Sequence, residues 1–196
     1  MTTVTALQGK GWAAIACDSR VTLEARPWML PKETCKVVKN GPYLIGVTGY
    51  LRCIPLIEYS FSPTIPDAFL SVKELDRFMT TVFIPELRDF LKETSLNMKE
   101  EEDIFVPSIL VLVNGVVYDI DSIFTWSRDP SCIYAEGSGE DYARGSLFSL
   151  INGNVADLEI ADAKRIMKEA ITNTAKLDLH TGGPVHTFVQ LSKTKK

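Results

Sequence analysis

The chain opens with the stretch MTTVTALQGKGWAAIACDSR, residues 1–20, whose pattern is the strongest indication of the fold. Two runs rich in apolar and β-branched residues, 4–7 and 12–17, flank the glycine-containing turn at 9–11. Such runs, bounded by a glycine turn, predict a β-hairpin. Asp18 lies at the end of this hairpin, directly after the second run.

Thr2 follows the initiator methionine, sixteen positions before Asp18. Methionine is usually removed when the next residue is small, so we expect the mature chain to begin at Thr2. An α-amine has a reference pKa of about 7.7 to 8.0 and can therefore take the proton of a neighbouring hydroxyl near neutral pH. An N-terminal Thr2 would then carry both a nucleophile and its base.

The Thr-Thr-Val start, the glycine turn, the apolar strand and the sequence Asp18-Ser19-Arg20 together resemble the start of a proteasome β-subunit or of the related bacterial ring protease HslV. Both are N-terminal-nucleophile hydrolases, and the spacing from Thr2 to Asp18 equals that of the family. The resemblance implies an α+β fold: a four-layer αββα sandwich of two antiparallel sheets flanked by helices.

The rest of the chain alternates between predicted strands and predicted helices. The pattern predicts strands at 36–38, 43–48, 109–113, 116–120, 123–126, 133–135 and 185–191, and helices at 50–59, 72–94, 140–151 and 158–175. Pro85 should kink or divide the second helix. Because no linker or internal repeat is present, we expect a single domain spanning residues 1–196.

The resemblance also implies roles for residues further along the chain. Lys36, which precedes a predicted strand, would pair with Asp18 and stabilise the deprotonated threonine hydroxyl, with Lys32 and Lys39 as rivals for this role. Gly49, at the end of the strand after it, would supply the backbone N–H that stabilises an oxyanion.

Two later motifs also match the family. Ser138 lies in Gly-Ser-Gly before a predicted helix and would relay the proton of the α-amine, although a serine there is also a common helix cap. Asp178 would orient the amine, and Thr181 stands where the family has serine. The backbone carbonyls of Ala175, Asp178 and Thr181 are a candidate site for a monovalent or divalent cation, while the chemistry itself requires no cofactor.

Family alignment places Val21, Val47 and Leu51 around the pocket for the substrate residue before the cut, which predicts an apolar preference. The loop at 25–31, which contains Trp28, is expected either to cover the site or contact a neighbour, or to be an ordinary surface loop.

Composition excludes several classes of protein. The net charge of −4 argues against nucleic acid as a partner, and no apolar run approaches the roughly 20 residues that span a bilayer. The four cysteines have neither zinc-site nor redox-motif spacing, so we interpret them as structural thiols in a reducing compartment. We therefore expect a cytoplasmic protein with no nucleic-acid or membrane partner.

The resemblance predicts a threonine-type endopeptidase that hydrolyses polypeptides. By resemblance, it would assemble as stacked homo-oligomeric rings, fed by an ATP-dependent unfoldase or joined to an α-type ring. Two alternatives remain open at this point: a catalytically silent structural ring subunit, and a small-molecule amidase of the same superfamily. The two histidines, His180 and His186, accompany no nucleophile motif, which makes a serine or cysteine triad a poor competitor.

Overall fold

Two antiparallel β-sheets form the centre of the protein. A computed structural model describes residues 2–23, 26–31, 33–95 and 107–192. The strands are β1 (Thr3–Gly9), β2 (Trp12–Cys17), β3 (Arg20–Leu23), β4 (Arg26–Met29), β5 (Val37–Asn40), β6 (Tyr43–Val47), β7 (Ile109–Val113), β8 (Val116–Ile120), β9 (Trp126–Ser127), β10 (Ile133–Gly137) and β11 (His186–Leu191). In this part of the chain, one sheet has the order β10-β1-β2-β11 and the other β5-β6-β7-β8-β9.

The first hairpin forms as predicted. β1 and β2 pair in antiparallel register, with Val4 opposite Cys17 and Gly9 opposite Trp12. Gly11 has a φ of 79°, a conformation that glycine adopts without steric cost and that the tight turn requires. β1 also pairs with β10 on its other side, so the start of the chain lies in the interior of the sheet.

The second sheet is built from hairpins that the turn residues predict. Asn114 and Gly115, between β7 and β8, have φ values of 52° and 76°. Positive φ at both central residues is the property of a type I′ turn, which suits the twist of a two-residue hairpin. The register that follows places Val113 opposite Val116 and Ile109 opposite Ile120.

Helices cover the strands on both sides of the molecule. They are α1 (Cys53–Tyr59), α2 (Val72–Phe78), α3 (Ile84–Ser95), α4 (Glu140–Leu150) and α5 (Ile160–Thr174). Ser71 begins α2 with a capping box, in which its hydroxyl accepts the N–H of Glu74 and the Glu74 carboxylate accepts the N–H of Ser71. None of the helices in the described ranges is both long and apolar enough to cross a bilayer.

Pro85 changes the type of helix without ending it. A π-helical turn, Met79–Phe83, joins α2 to α3, so the chain stays helical from residue 72 to residue 95. Proline lacks an N–H and its ring clashes with the preceding turn of a regular α-helix, and here that preceding turn is π-helical. The predicted kink or division at Pro85 thus takes the form of this wider turn.

Three apolar clusters within the described residues hold the layers together. The first packs the second sheet against α1, the α2–α3 helix and their π-turn, and includes Tyr43, Ile45, Val111, Phe83 and Leu87. The second packs the first sheet against α4 and α5, and includes Leu7, Ala14, Leu147, Met167 and Ile171. The third lies between the two sheets, and includes Val4, Ile15, Leu44, Leu110 and Leu112.

The strand predicted at 123–126 is wrong for most of its length. Residues 122–124 form a turn, and only Trp126 enters β9. The Asp121 carboxylate accepts the N–H groups of Ile123 and Thr125, and Phe124 has a φ of 62°. This aspartate turn offers the backbone partners that a strand would otherwise supply.

The segment 25–31 is also not a simple loop. Its described residues include the strand β4, which pairs with β3 in a hairpin that places Trp28 opposite Val21. Trp28 is exposed. A role for this segment in covering the site or contacting a neighbour stays a prediction.

Candidate active site

Thr2 lies at the open end of the first hairpin, away from its turn and directly before β1. Its side chain is buried, and its carbonyl oxygen accepts the N–H of Ser138 at 2.9 Å and lies 3.5 Å from the Ser138 hydroxyl. The backbone of the predicted nucleophile is therefore fixed by the Gly-Ser-Gly segment after β10. Met1 lies outside the described residues, so its removal stays a prediction.

A buried ion pair joins Asp18 to Lys36. The Lys36 ammonium lies 2.7 Å from the Asp18 carboxylate, and both side chains are inaccessible to solvent. Lys36 also donates to the carbonyl of Arg20 at 2.5 Å. Of the rivals, Lys39 is exposed on β5 and Lys32 lies outside the described residues, so the structure places Lys36 beside Asp18 as the resemblance implies.

The remaining lone pairs of Asp18 accept backbone N–H groups from three segments. One carboxylate oxygen accepts from Thr3 at 3.1 Å, and the other accepts from Arg20 at 3.0 Å and Gly182 at 2.9 Å. A buried charge is tolerated only when paired and hydrogen-bonded, and Asp18 meets both conditions. The pair therefore locks the start of β1 to the loop before β11.

Ser138, Asp178 and Thr181 form a hydrogen-bonded chain beside Thr2. The Asp178 carboxylate accepts from the Ser138 hydroxyl at 2.9 Å and from the Thr181 hydroxyl at 2.5 Å. The Thr181 hydroxyl also lies 2.5 Å from the hydroxyl of Thr3. Thr181, which stands where the resembled family has serine, therefore still donates a hydrogen bond to Asp178. Thr3 is a contact that the sequence analysis missed, because a threonine inside a strand gives no signal of its own.

A small cleft lies at Thr2. It is lined by Thr2, Val21, Val47, Gly49, Tyr50, Leu51 and Ile54. The structure therefore brings together the predicted nucleophile, the predicted oxyanion donor and all three predicted substrate-binding residues. Tyr50 and Ile54 are additional lining residues that sequence spacing did not indicate. Gly49 has a φ of 84°, a conformation that favours glycine at this position.

The Asp178 carboxyl has a pKa below its ordinary value. Burial raises this pKa, but hydrogen bonds from the Thr181 hydroxyl, the His180 N–H and the Ser138 hydroxyl outweigh burial and favour the charged form. The carboxylate is therefore the resident form at neutral pH, acting as an acceptor for both hydroxyl groups.

This lowered pKa gives a prediction for acid stability. Because the folded pKa lies below the unfolded value of about 3.9, the stabilisation is fully present above that value and is lost as pH falls through the folded pKa. We expect Asp178→Asn to lower the free energy of unfolding at pH 7 by about 1–3 kcal/mol and to weaken its dependence on pH below about 5. Urea unfolding from pH 3 to pH 7 measures both effects. Asp162→Asn, an exposed change on α5, is the control, and equal acid slopes in Asp178→Asn and wild type would contradict the assignment.

Gly137 is required by the position of Thr2. It pairs with Thr3 and has a φ of 102°, and a Cβ there would overlap the carbonyl oxygen of Thr2. We expect Gly137→Ala to destabilise the fold by at least about 2 kcal/mol more than Gly153→Ala. Gly153 is a matched control because its φ is 110° and no atom lies within 4 Å of the position that an alanine methyl group would take there. Chemical denaturation of the two variants makes the comparison. Equal losses in the free energy of unfolding would show that the Thr2 backbone can move away from the methyl group without cost.

No family model matches the chain, and no curated protein sequence matches it. Among solved structures, BPH of Thiobacillus denitrificans is 20% identical, with a TM-score of 0.74 over 97% of this chain and 98% of that chain. Another structure of BPH, in complex with epoxomicin, is 18% identical with a TM-score of 0.72.

Two further structures are similar over nearly all of this chain. Eukaryotic HslV from Trypanosoma brucei is 19% identical, with a TM-score of 0.61 over 96% of this chain and 98% of that chain. The Anbu complex from Pseudomonas aeruginosa, described as a helical assembly, is 17% identical, with a TM-score of 0.67 over 97% of this chain and 81% of that chain. These likenesses show that the chain has the fold of these proteasome-like structures, a mixed fold of helices and antiparallel sheets, and they confirm the resemblance at this coarser level.

Proposed function

We propose that this chain, which has the fold of the proteasome-like hydrolases, is a threonine-type endopeptidase and a subunit of a self-compartmentalised ring protease. The observation that carries the proposal is the buried Asp18–Lys36 pair, which is hydrogen-bonded to Thr3 and so lies next to Thr2 at the cleft. A lysine that is held fully buried by a carboxylate and a carbonyl is an arrangement suited to stabilising negative charge on a nearby hydroxyl oxygen.

The proposed reaction is the hydrolysis of a peptide bond. After Met1 removal, the Thr2 hydroxyl attacks the scissile carbonyl and passes its proton to the Thr2 α-amine, while the Gly49 N–H stabilises the oxyanion. The amine then protonates the leaving group, which leaves an ester between Thr2 and the acyl part of the substrate. Water, activated by the same amine, cleaves this ester and restores Thr2.

The other polar residues act on the α-amine in this proposal. Ser138, whose hydroxyl is held by Asp178, would relay the amine proton, and Thr181 would keep the Asp178 carboxylate in place. Because the Asp178 carboxylate accepts both hydroxyl protons, the Ser138 oxygen keeps its lone pairs free to accept from an ammonium.

The packing supports the finer description of the fold. We interpret the three apolar clusters as the interfaces of a four-layer αββα sandwich, with α1–α3 outside one sheet and α4 and α5 outside the other. A single domain over residues 1–196 is part of the same proposal, since β11 closes the first sheet from the far end of the chain.

The cleft supports an apolar preference for the residue before the cut. Val21, Val47, Leu51 and Ile54 supply aliphatic surface, and no acidic side chain is among the residues that line the described cleft. We expect fluorogenic peptides with leucine before the reporter to be cleaved at least about tenfold faster than those with arginine, because burying a charge without a partner is costly. Faster cleavage of the arginine peptide would contradict this assignment.

Assembly into stacked homo-oligomeric rings, with an unfoldase or an α-type ring as partner and a cytoplasmic location, completes the proposal. The similarity to Anbu, which forms a helical assembly, supports self-association in general. Light scattering distinguishes the cases: a monomer would remove the chambered protease, and would favour a small-molecule amidase as the function of the isolated subunit.

A cation on the carbonyls of Ala175, Asp178 and Thr181 is a further part of this proposal. These residues follow α5 in one tight loop, in which the Thr181 N–H donates to the Asp178 carbonyl. Carbonyl oxygens suit hard cations, and a bound ion would stiffen the loop that supplies Asp178 and Thr181. Thermal stability measured with and without a chelator, in sodium, potassium and magnesium salts, tests it.

Intact mass spectrometry with a peptide epoxyketone tests the activity. This reagent needs both a hydroxyl and a free amine on the same residue, and BPH has been solved with epoxomicin bound. Loss of Met1 and one adduct on Thr2 is the expected result. Trimmed protein that takes up no reagent would favour the alternative of a silent structural subunit, and retained Met1 would contradict the proposed processing.

A further inference from the structure

Two cysteines that lie far apart in the sequence are in contact beside the ion pair. Cys17 is the last residue of β2 and immediately precedes Asp18, and Cys35 immediately precedes Lys36. Their sulfur atoms are 3.4 Å apart, and both thiols are free. The sequence predicts structural thiols at all four cysteines, and a separation of 18 positions gives no reason to pair these two.

The two thiols differ in exposure and in acidity. Cys35 is only partly buried, and the hydrogen bond from Cys17, together with the N–H groups of Val37 and Lys36 and the Lys36 ammonium, lowers the pKa of Cys35 to about 7 although burial raises it. Cys17 is fully buried, and its hydrogen bond to Cys35 and its burial raise its pKa well above the ordinary value. Cys35 is therefore both the more exposed and the more acidic thiol of the two.

We propose that Cys17 and Cys35 are a redox-active pair, which a small-molecule disulfide such as oxidised glutathione converts into a reversible disulfide that displaces Lys36. In the first step, the Cys35 thiolate attacks one sulfur of the oxidant, forms a mixed disulfide and releases one thiolate. In the second, Cys17 loses its proton and attacks the Cys35 sulfur, and the second thiolate leaves and takes up that proton. One small-molecule disulfide is reduced to two thiols, and two cysteines are oxidised.

The position of the pair links its oxidation to the site. A disulfide bond is about 2.05 Å long, so the two sulfur atoms must approach each other by more than 1 Å from their present 3.4 Å separation. Each cysteine adjoins one member of the ion pair. The Lys36 ammonium lies 2.7 Å from the Asp18 carboxylate and 2.5 Å from the Arg20 carbonyl, so both hydrogen bonds are already short. In the proposal, closure draws the backbone at Asp18 towards that at Lys36 and misplaces the ammonium. The effect on activity, though not the disulfide itself, rests on the proposed function.

Peptide mapping tests the disulfide without reference to activity. The full-length protein is equilibrated in glutathione buffers of stepped redox ratio, the remaining thiols are alkylated, and the protein is digested with trypsin without reduction. We expect a linked species of GWAAIACDSR, residues 11–20, and ETCK, residues 33–36, that reducing agent separates. Cys53 and Cys132 should be alkylated throughout. Protein that carries only glutathione on Cys35, or that shows no linked peptide, would overturn the proposal.

Two readouts test the displacement of Lys36. Hydrogen exchange at the N–H groups of Thr3 and Gly182, which donate to Asp18, should be faster in the oxidised protein. The rate of epoxyketone labelling should fall by about tenfold or more and return with dithiothreitol, since ångström-scale misplacement of a catalytic group is costly. If reduced protein takes up no epoxyketone, the proposed function fails while the exchange measurement still decides this inference.

Matched variants separate this pair from general oxidation. Cys35→Ser and, independently, Cys17→Ala should abolish both the linked peptide and the change in exchange, whereas Cys53→Ser should behave as wild type. A response to oxidised glutathione that persists in both Cys35→Ser and Cys17→Ala, or unchanged exchange in fully linked wild-type protein, would overturn the proposed switch.

Discussion

Replacing Thr2 with alanine should lower epoxyketone labelling and peptide cleavage by at least about 1,000-fold, because the hydroxyl is the group that becomes covalently bonded to the substrate. Alanine is small, so the methionine before it should still be removed and the α-amine retained. The variant therefore separates the hydroxyl from the base. Mass spectrometry shows the adduct, and a fluorogenic peptide with leucine before the reporter gives the rate.

Thr2→Ser is the matched control for that experiment. It keeps the hydroxyl and loses a methyl group in the buried environment of Thr2, so we expect it to retain labelling at a reduced rate. Activity of Thr2→Ala near that of wild type would show that another residue is the nucleophile. If Thr2→Ala and Thr2→Ser both fail to label although they fold and are trimmed, labelling requires the methyl group of Thr2 as well as its hydroxyl.

Replacing Lys36 with methionine should affect both stability and labelling. The change leaves the Asp18 carboxylate buried without its cation, and breaking such a pair typically costs about 3–5 kcal/mol. For a chain of this size that loss corresponds to roughly 6–20 °C in Tm. Differential scanning calorimetry measures the loss, and the epoxyketone rate should fall below detection because no cation remains to stabilise the threonine alkoxide.

A second variant distinguishes loss of fold from loss of chemistry. The double change Asp18→Asn with Lys36→Met removes both charges, so we expect it to recover part of the lost Tm while labelling stays absent. Lys39→Met, an exposed change on the neighbouring strand, should match wild type in both measurements. Recovery of labelling in the double variant would remove Lys36 from the proposed mechanism.

Local signals account for the parts of the fold that the sequence predicts well. The turns at Gly11, Gly41 and Asn114-Gly115 are indicated by residues that tolerate positive φ, and the long helices by apolar periodicity. The β3–β4 hairpin was missed because its second strand is exposed throughout and carries no alternation. The turn at Phe124 was missed because it depends on the Asp121 side chain more than on the residues that it bends.

The candidate site likewise contains residues that the sequence predicts and contacts that it does not predict. Thr2, Asp18 and Lys36 were predicted from spacing that a family resemblance makes meaningful, and the structure brings them to one place. The bond between Thr3 and Thr181 and the contact between Cys17 and Cys35 arise only when distant segments meet. Such contacts carry no local sequence pattern, so spacing alone would not identify them.

The loop before β11 has a consequence for the timing of synthesis. Gly182 donates to Asp18 across 164 positions, and Thr181 reaches Thr3 across 178. A ribosome-bound chain that has not yet released this loop therefore lacks the support for its buried charge pair, however early its first hairpin forms. The enzyme proposed here would be inactive as a nascent chain, and it would become active only after the loop before β11 has left the ribosome.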